Sequence, residues 1–218
     1  WRALPVQQRF SEIAPAVVES DVRASALAEA RYGAGQRFSL FAYITVGTGI
    51  SSALVQEGRP FAGARGNALV LATMPLTTRC DRCGALLNPV LEEIASGPAL
   101  VAAYNRQGGS ARRAEEVLAA ARSGDPLANE VVAFAGESLG NSVAFLVNVL
   151  DPEAVVVGGG LGMAGGLYWE RMVAATRAHI YADATRALPI LRAALGVDAG
   201  LVGAAAATLV AHPLAHTG

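Results

Sequence analysis

The spacing of apolar positions changes rhythm several times along the chain, and each change predicts an element. An amphipathic stretch at 5–13 is followed by a short apolar strand at 16–18. The run VRASALAEARY at 22–32 reads as a helix with Gly33 and Gly35 as stop signals. Asp21 stands at its N-cap, where a carboxylate accepts from the free N–H groups of the first turn. Residues 41–46 and 50–55 are rich in β-branched and aromatic types and flank Gly47, Thr48 and Gly49, which predicts a β-hairpin. From 60 to 88 periodic apolar positions are sparse, and an irregular segment is expected.

Helical spacing returns at 89–105, carried by Leu91, Ile94, Leu100 and Val101, and again at 112–122. After a capping segment at 123–126, the stretch 127–150 is apolar around much of its circumference, which predicts a long helix buried on several sides. A strand at 154–157 runs into Gly158, Gly159 and Gly160, and a helix is expected at 166–181. A last strand at 188–195 leads to an alanine-rich helix opening at Gly203. The alternation of strands and helices predicts an α/β fold with no internal repeat.

Composition narrows the classes. Of 218 residues 53% are apolar, room for one large or two small domains, and Gly, Pro and charges interrupt every apolar run, so no bilayer-spanning segment is expected. Lys and Arg number 17 against 18 Asp and Glu, which argues against nucleic acid as a partner. No signal peptide or lipidation site is visible. The two cysteines, Cys80 and Cys83, are too close to staple a fold, and point to a reducing cytoplasm or a half-built metal site. These features describe a soluble, cytoplasmic chain. It begins at Trp1 without an initiator Met and opens on a single short strand, so it is read as a fragment.

Two glycine turns carry candidate chemistry. Gly47-Thr48-Gly49 can bring backbone N–H groups and a hydroxyl to a phosphate, or is a plain hairpin turn. AVVVGGGL at 154–161 has the strand, turn and helix order of a nucleotide-binding unit, or is a plain parallel crossover; the G-x-G-x-x-G dinucleotide fingerprint is absent.

In their order and spacing these segments resemble the ROK family of sugar kinases and sugar-responsive repressors. VESDVRASALAE at 18–29 resembles its strand-to-helix segment with an Asn-Asp pair, and VGTGISSALVQEGRPFAGARGN at 46–67 its second phosphate loop and sugar loop. LEEIASGPAL at 91–100, VVVGGGL at 155–161 and LGVDAGLVGAA at 195–205 resemble later blocks. The resemblance implies an actin-like ATPase (ribonuclease H-like) fold with an incomplete N-terminal lobe, since the opening Asp-x-Gly-Gly-Thr loop is missing, and a complete C-terminal lobe. Residues 1–36 would be the N-terminal remnant, 37–190 the C-terminal lobe, and 191–218 the last strand and a helix returning to the first lobe.

Asp21 then matches the catalytic base. Gly47, Thr48 and Gly49 match the phosphate loop, and Gly158, Gly159 and Gly160 the glycines near adenosine. Ser20, where the family has Asn, Asn67 and Glu92 match sugar contacts, although Glu92 also reads as an exposed helix charge beside Glu93. ATP, Mg2+ and a homodimer are implied. Two motifs depart from the family. Gly-Glu-x-Gly-His is replaced by Gly63, Ala64, Arg65, Gly66 and Asn67, and Ala64 cannot accept a hydrogen bond from a sugar. The family's zinc, held by that His and three cysteines, faces Asn67, Val90 and only the two thiols of Cys80-Asp81-Arg82-Cys83-Gly84; His179, His212 and His216 all lie late in the chain. A structural zinc is expected to be lost. The leading reading is an ATP-dependent hexose kinase; the alternatives are a non-catalytic sugar-sensing regulator and a degenerate module that binds nothing.

Overall fold

The computed structural model describes residues 4–80 and 82–211; Asp81, His212 and His216 lie outside them. In chain order the elements are α1 (Val6–Ser11), α2 (Asp21–Tyr32), β1 (Leu40–Val46), β2 (Ile50–Gln56), β3 (Arg59–Pro60), β4 (Thr78–Arg79) and β5 (Leu86–Leu87). They continue with α3 (Glu92–Ala95), α4 (Gly97–Arg106), α5 (Ala114–Arg122), α6 (Pro126–Leu150), β6 (Ala154–Gly158), α7 (Gly160–Met163), α8 (Gly166–His179), α9 (Asp183–Arg186), β7 (Ile190–Arg192) and α10 (Ala199–Ala211).

Five strands form one sheet in the order β3-β2-β1-β6-β7. The hairpin pairs Val46 with Ile50 across its turn, while β6 runs parallel to β1 with Gly158 opposite Thr45, and β7 runs parallel to β6. The pleat sends alternate side chains to opposite faces. Ile44, Val46, Val155 and Val157 point into the larger core, with Leu91, Leu100, Leu139, Val143, Tyr168 and Met172 from the helices. Phe41, Tyr43, Val55 and Val156 form the smaller core with Ala26 of α2. Against α2 lies α10, so close that a Cβ on Gly203 would overlap the Ala24 carbonyl.

Several elements differ from the expectations. The strand at 16–18 is not formed, because no described strand lies beside it. Gln7 serves its backbone instead, donating through Nε2 to Ala16 O and accepting from Val18 N at 2.7 Å. The helix expected at 89–105 is broken at Ser96, whose extended backbone (ψ 166°) and Oγ, accepting from Ala99 N at 3.3 Å, start α4 afresh ahead of Pro98. The irregular segment holds the small β4–β5 hairpin. The final helix opens at Ala199, before Gly203. A lobe boundary at 190 would cut through β7, which completes the sheet. By length and composition α6 is apolar enough to cross a bilayer, which the interrupted runs did not suggest; 67% of its most apolar window is buried in the core.

Candidate active site

Parallel β1 and β6 end side by side, so the Gly47–Gly49 turn and the Gly158–Gly160 turn open at the same end of the sheet. The chain reverses between α2 and β1, with Gly35 against the Phe41 ring. The start of α2, carrying Ser20 and Asp21, is thereby brought to that end as well. Tyr43 marks the junction. Its hydroxyl is pushed up to about 12, chiefly by burial and then by the Glu29 charge, with hydrogen bonding to Ser25 and Thr45 opposing and Asp21 near enough to add to the rise.

One wall at this end of the sheet is built from backbone. Gly47 N donates to Gly49 O at 2.9 Å and Gly47 O accepts from Gly97 N at 2.8 Å, which ties the turn to the start of α4. Glu92 Oε2 accepts from Ile50 N at 2.7 Å, bracing the turn from α3. The three later glycines divide their work. A Cβ on Gly158 would come within 2.5 Å of the Tyr43 hydroxyl, and one on Gly159, at φ +82°, within 2.6 Å of Val46 N. Both therefore serve close packing of β6 on β1. Gly160 alone has open space before it. It borders a cleft of about 660 Å3 formed with Gly47, Thr48, Pro98, Val101, Arg112, Arg113 and Leu161.

The opposite wall is built from side chains. Ser20, not Asp21, is the N-cap of α2: its Oγ accepts from Arg23 N at 3.4 Å and its backbone is extended. Asp21 is the first helical residue; its Oδ1 accepts from Val22 N at 2.7 Å, and no described residue bonds Oδ2. Arg23 Nη1 donates to Gly66 O at 2.7 Å, bringing the loop with Asn67 to the start of α2. Glu92 is half-buried beneath the Gly47–Gly49 turn rather than a free surface charge, with Oε2 accepting from Ile50 N.

A model of the ROK family matches residues 1–211. The chain belongs to the ROK family. Relatives include the bifunctional enzyme NanE/NanK of Brucella melitensis, 34% identical over 192 residues, covering 88% of this chain and 35% of the relative. The regulator NagC of Escherichia coli is 30% identical over 151 residues, covering 65% of this chain and 37% of that protein. A ROK glucokinase from Streptomyces griseus, solved in complex with glucose and AMPPNP, superposes with a TM-score of 0.80 at 30% identity, covering 95% of this chain and 73% of that one. The ROK chain thus spans about a third of the length of the NanE/NanK relative. Its fold is that of the actin-like ATPases, in which ROK sugar kinases are its structural neighbours.

Sequence reasoning missed the far wall of the ROK cleft, Pro98, Val101, Arg112 and Arg113, and the loop anchor Arg23. The break at Ser96-Gly97-Pro98 was a visible signal for the first two. The arginines read as ordinary surface charges until tertiary packing sets them opposite Gly47. Among the described residues this segment offers a zinc two thiols: Cys80, which accepts N–H groups from Cys83 and Arg82 that lower it below the usual range, and the exposed Cys83. Among the described residues no three His, Cys, Asp or Glu side chains are grouped to share an ion.

Proposed function

We propose that this ROK chain forms the C-terminal lobe and interlobe helices of an ATP-dependent hexose kinase. The supporting observation is the convergence at one end of the sheet of Asp21, the braced Gly47–Gly49 turn and the cleft below Gly160. The residues present fit a nucleotide: Gly47 and Thr48 border the cleft, Gly160 has open space before it, Val101 and Leu161 give an apolar wall, and Arg112 and Arg113 positive charge. ATP with Mg2+ supplies the transferable phosphoryl group. Asp21, at the start of its helix, takes the proton from the attacking sugar hydroxyl. Ser20, Asn67 and the free Oε1 of Glu92 orient the sugar, and the 1–36 segment with α10 faces the other lobe. The protein works as a cytoplasmic homodimer.

The experiment is a panel of hexoses assayed for ADP release in the full-length protein, wild type against Asp21→Asn. Turnover lost on substitution supports the assignment, and turnover that survives removes Asp21 from it. One observation favours a second reading, a sugar-sensing regulator: Ala64 and Asn67 stand where the family has Glu and His, and a transcriptional regulator is among the relatives. Sugar binding with no ADP release from the wild type selects that reading.

A further inference from the structure

The loop 62–68 has no regular structure, yet it is closed and anchored. Ala68 N donates to Ala62 O at 3.2 Å across its base. At its apex Gly66, with φ +77°, presents its carbonyl to Arg23 Nη1 at 2.7 Å. Arg23 is itself held, since Nε donates to Glu19 Oε1 at 2.5 Å and Nη2 pairs with the same oxygen. The Arg23 side chain is only 17% exposed, so solvent competes weakly for its guanidinium. A guanidinium suits this task because one edge of its planar fork grips a carboxylate while another N–H remains for a carbonyl.

The fold family implies a zinc for this loop, and the residues here do not fit one. Asn67 occupies the place of the His, Val90 that of a cysteine, and the backbone of Val90 bridges to Pro75 instead. Two thiols from one exposed hairpin leave a tetrahedral site half empty. We propose that Arg23, braced by Glu19, positions the 62–68 loop beside Asp21, and that it does so without a metal. Arg23 is a positioning residue, bonding the loop rather than the substrate. The loop's service as a sugar wall rests on the kinase reading; the clamp itself does not.

The test is hydrogen exchange at the Ala68 amide, with and without EDTA, alongside elemental analysis and D-glucose binding. Wild type should carry far less than one zinc per chain, and EDTA should change exchange by less than about twofold, within the scatter of local opening. Arg23→Ala should speed exchange by about tenfold or more. Arg23→Lys should recover part of the protection, because an ammonium still donates to Gly66 O. Cys80→Ser with Cys83→Ser should change nothing. Should Arg23→Ala fail to fold, Glu19→Gln loosens the brace without touching the loop, and an intermediate acceleration is expected. About one zinc per chain whose removal loosens Ala68 would overturn the clamp, as would unchanged exchange in Arg23→Ala, or in Glu19→Gln if that variant has to stand in. Glucose that fails to bind wild type counts against the sugar reading alone, since the exchange result still decides the clamp.

Discussion

The two walls that meet at the end of the sheet are made differently. In one wall the turn at Gly47–Gly49 and the glycines at 158–160 are held by main-chain hydrogen bonds and by strand registry, and their shape follows from the fold. In the other, Ser20, Asp21, Arg23, Glu19 and Asn67 lie on a helix start and an irregular loop, and the side chains of Glu19 and Arg23 hold the two together. A wall made of backbone tolerates replacement of nearly every side chain except its glycines. A wall made of side chains can be rewritten one residue at a time. Changes in the first wall should therefore register as stability, and changes in the second as activity.

The largest effect that would test this contrast is at Gly159. An alanine there must adopt φ +82° and place its Cβ within 2.7 Å of Thr45 Oγ1 and nearer still to Val46. Strain and overpacking together should cost about 3–5 kcal/mol, read as a lower midpoint in urea denaturation. Should Gly159→Ala unfold at the wild-type midpoint, the backbone wall is not rigid. Next comes Asp21→Asn. Because Ser20 rather than Asp21 caps the helix, stability should shift by less than about 0.5 kcal/mol, while phosphoryl transfer in the full-length protein drops by roughly a hundredfold or more. A stability loss of several kcal/mol there would erase the distinction between the walls.

Glu92 sits where the walls join, and it sharpens the comparison. Glu92→Ala leaves Ile50 N without its partner and should cost about 1–2 kcal/mol. Glu92→Gln keeps an acceptor oxygen and should retain most of that stability while weakening sugar binding, checked by calorimetry alongside thermal melts. Equal losses from both variants would mean the brace depends on charge. The smallest effect lies behind the backbone wall, where the Tyr104 hydroxyl donates to Asp125 Oδ2 at 2.6 Å. That bond, with the N–H groups of Ala128 and Leu127, holds the Asp125 carboxyl below its usual range. A depressed carboxylate stabilises the fold above its unfolded value, about 3.9, and that contribution fades as pH falls through the lower folded value. Tyr104→Phe should lower the urea midpoint at neutral pH slightly and make its acid-side decline shallower, the two proteins converging at low pH.

The same division governs what could be read from the sequence. The hairpin and its turn were legible because β-branched residues and glycines dictate local conformation, and the long α6 because its apolar positions cover much of its circumference. Asp21 was given the cap that Ser20 holds, since both types favour that position and only geometry separates them. The strand at 16–18 failed because pairing is a property of two segments, and the described residues supply one. Arg23 and Arg112 were invisible for a related reason: nothing local marks a surface arginine that will face a loop or a cleft. Glu29 is the clearest case. It is fully buried in the middle of α2, yet it reads as a routine helix charge, with only the neighbouring alanines and the glycines at 33 and 35 to betray it.

Glu29 has a consequence for the order of assembly during synthesis. Its carboxylate accepts from Ala34 N at 2.7 Å, Ala194 N at 3.1 Å and Leu195 N at 2.8 Å, the latter two reaching across 165 and 166 residues of sequence. A ribosome making about 5–20 residues per second delivers those last two donors roughly 8–33 s after Glu29 itself. Through that interval α2 can lie on the nascent hairpin, but its central charge keeps water at the seam. Only the arrival of the strand-to-helix connection after β7 dries and seals it. The carboxylate thus works as a completion latch: a ribosome that stalls before residue 194 releases a chain whose first long helix is still hydrated and loosely held, open to proteases that the finished chain resists.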